Sequence, residues 1–247
     1  KGIAKWNGSS WQSMGSGITN GTGNAYPYCL ATIGTNVFIG GGFTAVNNVP
    51  ANMVAKWNGT TWSAMGNGLS GTGTPQCMTA KGNNIYVGGY FSNAGSTVVN
   101  NIAKWNGTTW SALGSGFDAG VTDIKFNGQD LLASGSFTAS GATPVKNIAK
   151  WNGATWVSIG DELNMDVYAM TFSPSLSMVG GYSNSLTDFS FNNVALLKGN
   201  QWEVTSYGVD STIECFYNDN GTIYAGGVFS RAGGIAASRI AKWNGSQ

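Results

Sequence analysis

Histidine is absent from the 247 residues. That absence removes Ser-His-Asp and Cys-His catalysis, histidine-ligated zinc, and the commonest general base near neutral pH. Charge is scarce too: Asp, Glu, Lys and Arg make up 9% of the chain, against about 25% in an average soluble domain. With 12 basic and 11 acidic side chains the net charge is +1, so no strong field draws nucleic acid or an anionic membrane surface. Long surface helices keep their outer faces wet with Lys and Glu, and this chain has few of either. Three cysteines, Cys29, Cys77 and Cys215, are too few and too odd in number for a disulfide framework. No apolar run approaches the ~20 residues that span a bilayer. The opening Lys1-Gly2-Ile3 reads as the middle of a repeat, so a mature form or a piece of something longer is expected.

What the chain has instead is 38 glycines, with Asn, Ser and Thr. These are residues of tight turns and of uncharged, solvated strand faces. They are organised by a repeat. Ala-Lys-Trp-Asn-Gly occurs at 4–8, 55–59, 103–107, 149–153 and 241–245, with a degraded copy at Leu197-Lys198-Gly199-Asn200. A second tryptophan follows at Trp11, Trp62, Trp110, Trp156 and Trp202, at intervals of 51, 48, 46 and 46. Gly-Gly-x-Phe, ending at Phe43, Phe91, Phe137, Ser183 and Phe229, keeps the same period. Such a period fits four short strands with their turns.

The strands are legible in the best copies. Strand a is Val121–Phe126, b is Ile85–Phe91, c is Asn101–Trp105 and d is Thr109–Leu113. The paired glycines of b predict a close backbone approach or a bulge. The Asn-Gly after c predicts a two-residue type I′ turn, with positive φ at both positions. The order a-b-c-d is the plan of a propeller blade. The expectation is therefore an all-β chain forming one five-bladed β-propeller of four-stranded antiparallel blades. The blades fall at approximately 19–69, 70–117, 118–164, 165–210 and 211–247. Residues 1–18 open the chain as c-d, and 9–18 are expected to complete the last blade and close the ring, which leaves one c strand surplus.

The phrase Ile102-Ala103-Lys104-Trp105-Asn106-Gly107-Thr108-Thr109-Trp110-Ser111-Ala112-Leu113-Gly114-Ser115-Gly116 resembles a repeat of large secreted proteins of Bacteroidota and other environmental bacteria. In that family it alternates with Tyr-Val-Gly-Gly-x-Phe-Thr-x-Ala-Gly-Gly, matched here by Tyr86 to Gly95 and Tyr224 to Gly234. The fungal cortical polarity-marker propeller carries a similar pattern. The resemblance implies a propeller, secretion, and display on multidomain adhesins exported by a type IX route. It implies no defined ligand.

Chemistry-bearing residues are few. Eleven carboxylates are scattered without a facing pair, and Asp161-Glu162 falls in a d-to-a loop, so no catalytic residue is expected. No metal or cofactor is expected either. The cysteines share one repeat position with Asp123 and Ala169, which suits small residues on an inner strand better than a thiolate cluster. Lys5, Lys56, Lys104, Lys150, Lys198 and Lys242 share another. Their stems are expected to lie along tryptophans with the heads in water, rather than to form a ring for an anionic glycan. The repeated tryptophans read as inter-blade core, with Trp202, Tyr26 and Tyr28 the less regular aromatics. Sequons begin at Asn7, Asn20, Asn58, Asn106, Asn220 and Asn244, each coinciding with an Asn-Gly turn. The fourth repeat is irregular: Tyr182-Ser183 replaces x-Phe, strand c lacks its Trp, and Asp188-Phe189-Ser190-Phe191 intervenes between b and c.

The first interval is long because of an insertion, Asn20 to Tyr28, which places Asn24, Tyr26 and Tyr28 as candidate ligand-binding residues on the d-to-a rim. The functional expectation is a non-catalytic binding or adhesion module at the cell surface or outside the cell. A lectin and a structural part of a filament or surface assembly are its rivals. The expected partner is a glycan or a surface protein, held by uncharged hydrogen bonds and aromatic contact. Nucleic acid and membrane insertion are not expected.

Overall fold

The computed structural model describes residues 2–21, 23–160, 163–173, 176–183, 193–205, 207–243 and 245. Every regular element among them is a strand, so the chain is all-β. It forms two compact units, residues 1–121 and 122–247. Asp161-Glu162, Asp188–Phe191 and the Asn244 sequon lie outside the described residues.

Four antiparallel sheets run in the order a-b-c-d. The first is Tyr26–Ile33, Asn36–Gly42, Val54–Trp57 and Trp62–Ala64; the second is Pro75–Lys81, Asn84–Gly89, Ile102–Trp105 and Trp110–Ala112. The third is Val121–Asn127, Asp130–Gly135, Ile148–Trp151 and Trp156–Ser158; the fourth is Asp166–Ser173, Leu176–Tyr182, Val194–Lys198 and Gln201–Val204. A fifth sheet has three described strands, Ile213–Asp219, Thr222–Gly227 and Ile240–Lys242, and the N-terminal Ala4–Trp6 and Trp11–Ser13 make a two-stranded sheet.

Strands c and d are held together by their tryptophans. Trp57 stands opposite Trp62 and Trp105 opposite Trp110, with ring centroids 5.2 and 5.1 Å apart. The c–d turn differs from the expected type I′ pair. Only its glycine has positive φ, 106° at Gly59 and 100° at Gly107. The asparagine uses its side chain instead: Asn58 Oδ1 accepts from the Thr60 and Thr61 amides at 2.9 and 2.8 Å. Asn7, Asn106 and Asn152 do the same, giving a four-residue loop closed by an Asx turn. The type I′ pair does occur between a and b of the fifth sheet, where Asn220 and Gly221 both have positive φ.

The paired glycines of strand b and a bulge in strand a are one device. The a–b register slips at Tyr28, Gln76, Tyr168 and Glu214, which tips the preceding backbone over the second glycine. A Cβ on Gly41, Gly89, Gly181 or Gly227 would lie 2.1, 2.5, 1.8 or 2.1 Å from the carbonyl oxygen of Tyr26, Thr74, Asp166 or Thr212. The first glycine makes room for the cross-strand cysteine: a Cβ on Gly40, Gly88 or Gly226 would meet the sulfur of Cys29, Cys77 or Cys215 within 2.9 Å.

Successive sheets within a unit are joined by the d-strand tryptophan. Trp62 Nε1 donates to the Met14 carbonyl at 2.7 Å, and Trp110 Nε1 to that of Met65 at 2.8 Å. In the second unit Trp202 Nε1 donates to the Ile159 carbonyl at 2.8 Å. Around Trp110 lie Val54, Met65, Leu69, Val99 and Ala103; around Trp202 lie Leu132, Ile148, Leu163 and Ala195. The reading of the repeated tryptophans as core therefore holds for Trp62 and Trp110; Trp202, set apart as less regular, is buried as well, whereas Trp6 and Trp11 are 51% and 71% exposed. A feature absent from the sequence reading is a short hairpin between b and c, such as Ala45–Val46 with Val49–Pro50, on which Ile18–Thr19 of the preceding repeat adds a third strand.

Candidate functional site

Four of the six repeated lysines have partners within their own sheets. Lys56 Nζ lies 5.9 Å from the centre of the Phe38 ring and Lys104 Nζ 6.0 Å from that of Tyr86, each the residue facing it on strand b. Lys150 pairs with Asp130 at 3.4 Å and Lys198 with Glu203 at 2.6 Å. The aromatic partner is thus on strand b, where a tryptophan was expected. None of the three cysteines, all described, is in a disulfide. Each faces the first glycine of its strand b, as their common repeat position requires. Burial pushes the Cys29 thiol up to about 12, against the lowering effect of its backbone hydrogen bond with Gly40, so no thiolate forms there at neutral pH. Asp123, at the same repeat position, spans two sheets: its Oδ2 accepts the Met170 amide at 2.9 Å and pairs with Lys125 at 3.0 Å.

Of the candidate ligand residues, Tyr26 and Tyr28 do not stand on a loop. Asn20 and Gly23 bridge in a tight turn that takes up the inserted residues, and Tyr26 and Tyr28 are already in strand a. Both remain 51% exposed, Tyr28 at the bulge, with exposed Asn24 just before the strand.

The second unit holds a polar recess of about 400 Å³ at the equivalent rim. Asn164, Met165 and Asp166 lead into strand a of the fourth sheet, and Tyr182 faces Asp166 across the a–b register. Ser136, Thr138, Lys146 and Asn147 of the third repeat form the other wall. Lys146 Nζ donates to Asn164 Oδ1 at 3.0 Å. Buried Asn147 donates through Nδ2 to the Gly135 carbonyl at 3.0 Å and towards Asp166 Oδ1 at 3.4 Å. Tyr182, at the repeat position of Tyr90 and just before the irregular Ser183, is exposed. The recess therefore offers amides, hydroxyls, one carboxyl, one phenol ring and the Lys146 ammonium, one charge of each sign, a set suited to a polar ligand without net charge. Asn164, Asp166 and Asn147 were not singled out by the sequence; the nearest signal was the departure at Ser183, which stands where the other repeats have Phe.

Burial raises the Asp166 carboxyl above the ordinary carboxylate range. The fold then favours the protonated form, so this group makes stability fall as pH rises from the ordinary value through the raised one. Asp166→Asn is expected to remove that decline, leaving the variant at least as stable as the parent at neutral pH. Thermal melts of both across acid to neutral pH check this; a parent that gains relative stability on going to neutral pH would refute it.

Among the described residues no group of three His, Cys, Asp or Glu side chains converges, and no helix is long and apolar enough to cross a membrane.

No protein-family model matches the chain, and no curated protein matches it by sequence. Solved structures do. YCF48, in a structure titled as bound to D1 peptide, aligns at 14% identity with a TM-score of 0.56, covering 89% of this chain and 66% of that one. The extracellular domain of a putative one component system from B. thetaiotaomicron aligns at 12% identity and a TM-score of 0.58, covering 92% of this chain and 28% of that one. That of a putative hybrid two component system from the same organism gives 10% and 0.51, covering 89% and 27%. The chain thus spans less than two thirds of the length of each of these neighbours. They are β-propeller-type proteins, and the likeness assigns this chain the same type of fold.

Proposed function

We propose that the chain is a non-catalytic binding module of propeller type, working at the cell surface or outside the cell. Its five sheets are the five blades, and the fifth is completed by a strand of the kind formed by residues 9–18. Ligands meet it at the rim where strands a begin. The observation that carries this reading is the Asp166 recess, whose Asn147, Asn164, Ser136, Thr138 and Tyr182 offer hydrogen bonds and a ring beside one basic side chain, Lys146, and one carboxyl. The expected ligand is a glycan or an extended stretch of a surface protein. Two neighbours support this setting, one an extracellular domain and one a propeller carrying a peptide. Tyr26, Tyr28 and Asn24 supply a further contact at the rim of the first sheet.

Screening the protein against a glycan array and a peptide library tests the reading. Binding should weaken about tenfold or more in Tyr182→Ala, the loss of one buried aromatic contact of ~1.4 kcal/mol, with little change in melting temperature. It should depend weakly on salt, since few charges steer the encounter. A ligand indifferent to Tyr182→Ala, or one released between low and physiological salt, would reject this site and favour the lysine positions.

A further inference from the structure

Two junctions between successive sheets put the same repeat positions to different use. Between the first and second sheets Ile33, Phe38, Val54, Met65, Ile85 and Trp105 close into apolar core around Trp110. Counted from the anchors Phe43, Phe91, Phe137 and Ser183, their counterparts between the third and fourth sheets are Asn127, Leu132, Ile148, Ile159, Ser177 and Leu197, around Trp202. The ladders agree. Phe38 faces Lys56 as Leu132 faces Lys150, and Ile85 faces Trp105 as Ser177 faces Leu197. Asn127, Leu132, Ser177 and Leu197 are thus smaller or more polar than the residues of the first junction.

Between the third and fourth sheets lies a cavity of about 230 Å³, lined by these residues and by Trp202. Leu197 keeps one contact of the ring whose place it takes. A Cβ on Gly66 would lie 3.3 Å from Trp105 Cζ3, and one on the matching Gly160 would lie 3.3 Å from Leu197 Cδ1. Past that methyl there is no indole to fill the space. Phe172, where the second sheet has Ala80, is a side wall. Ser177 and the exposed Asn127 and Asn200 add a hydroxyl and two amides, and Asp130 and Lys150 pair at 3.4 Å. Lys56 has the Phe38 ring 5.9 Å from its Nζ, whereas Lys150 faces Leu132 instead.

We infer that this cavity binds an aromatic ring of the size of phenol or indole that carries a hydrogen-bonding group and no net charge. An apolar cavity of about 150 Å³ already takes up benzene, so the space admits a larger ring. The ring takes the place that Phe38 and Trp105 fill at the first junction, with its face beside the Lys150 ammonium. Its N–H or O–H meets Asn127, Ser177 or Asn200, and the paired Asp130 and Lys150 leave no net charge to neutralise. The site lies by the a–b turn of the third sheet and the c–d turn of the fourth, at the strand ends opposite the Asp166 recess. It stands or falls independently of that recess.

Ligand-observed NMR titration with indole, and separately with the peptide Gly-Gly-Trp-Gly-Gly, tests it. Indole should bind and raise the melting temperature. Leu197→Trp and Ser177→Ile each restore a residue of the first junction. Both should bind indole about tenfold more weakly or less while melting no lower than the parent. Lys150→Gln should weaken binding about two- to fivefold, the loss of one cation–π contact. Uptake of the peptide as well as indole makes a partner's side chain the source of the ring, and uptake of indole alone makes it a free small molecule. No binding of indole at millimolar concentration overturns the inference. So does binding unchanged in either folded variant, or tighter uptake of a methyl glucoside than of indole.

Discussion

Trp110→Ala is expected to cost about 3–5 kcal/mol of stability, the range for truncating a buried large aromatic. Trp110 is 9% exposed, its indole nitrogen is 2.8 Å from the Met65 carbonyl, and it packs on two sheets of the first unit. Truncation opens a cavity at that junction and leaves the carbonyl without its donor. Trp110→Phe separates the two effects: it keeps most of the packing and forfeits the hydrogen bond, at about 1–3 kcal/mol. Trp11→Ala, at an exposed site in the dilute protein, should stay within about 0.5 kcal/mol. Urea unfolding of the three variants gives the ranking. A Trp110→Ala variant no less stable than Trp11→Ala would mean that the tryptophans are not what joins the sheets.

The second large effect separates two adjacent glycines. Gly41→Ala places a methyl 2.1 Å from the Tyr26 carbonyl oxygen and 2.7 Å from the Pro27 Cα, both backbone atoms pinned by the bulge at Tyr28. Neither can yield without breaking the a–b register. The cost should reach or exceed the ~1–3 kcal/mol typical of overpacking, or a fall in melting temperature of roughly 2–4 °C per kcal/mol for a chain of this size. Gly42→Ala meets nothing nearer than 3.6 Å and should be close to neutral. Thermal unfolding decides it, and equal effects at the two positions would show that the bulge is not what demands the glycine.

Much of the framework was legible because the repeat prints the same physical problem several times. The sheet order a-b-c-d, the glycine pair and the core role of Trp62 and Trp110 all follow from side-chain size and alternation within one period. The c–d turn was misread because Asn-Gly carries two solutions, and the choice falls to Thr60 and Thr61, whose amides the Asn58 side chain collects. Tyr26 and Tyr28 read as rim residues from the sequence but lie in strand a, because an insertion looks the same whether it lengthens a loop or moves a strand start. The Asp166 recess was hidden for another reason. Asn147 and Asp166 come from successive repeats and meet from opposite walls, a pairing that only folding creates. A left-handed residue before each strand c also escaped notice. It is Asn101, Asn147 and Asn193 in three repeats but Met53 and Arg239 in the others, and the latter two carry no signature of that conformation.

The indole bonds also set a direction in time. Trp62, Trp110 and Trp202 each reach back to a carbonyl 48, 45 and 43 residues earlier, never forward. On a ribosome the acceptor has left the exit tunnel before the donor is made, so a new repeat can dock as soon as its d strand emerges. Synthesis at about 5–20 residues per second spaces these arrivals by seconds, long compared with the formation of a hairpin in about 1–10 μs. Each junction then has one nascent partner to find, and the near-identical repeats downstream, the obvious source of mispairing, have yet to be translated.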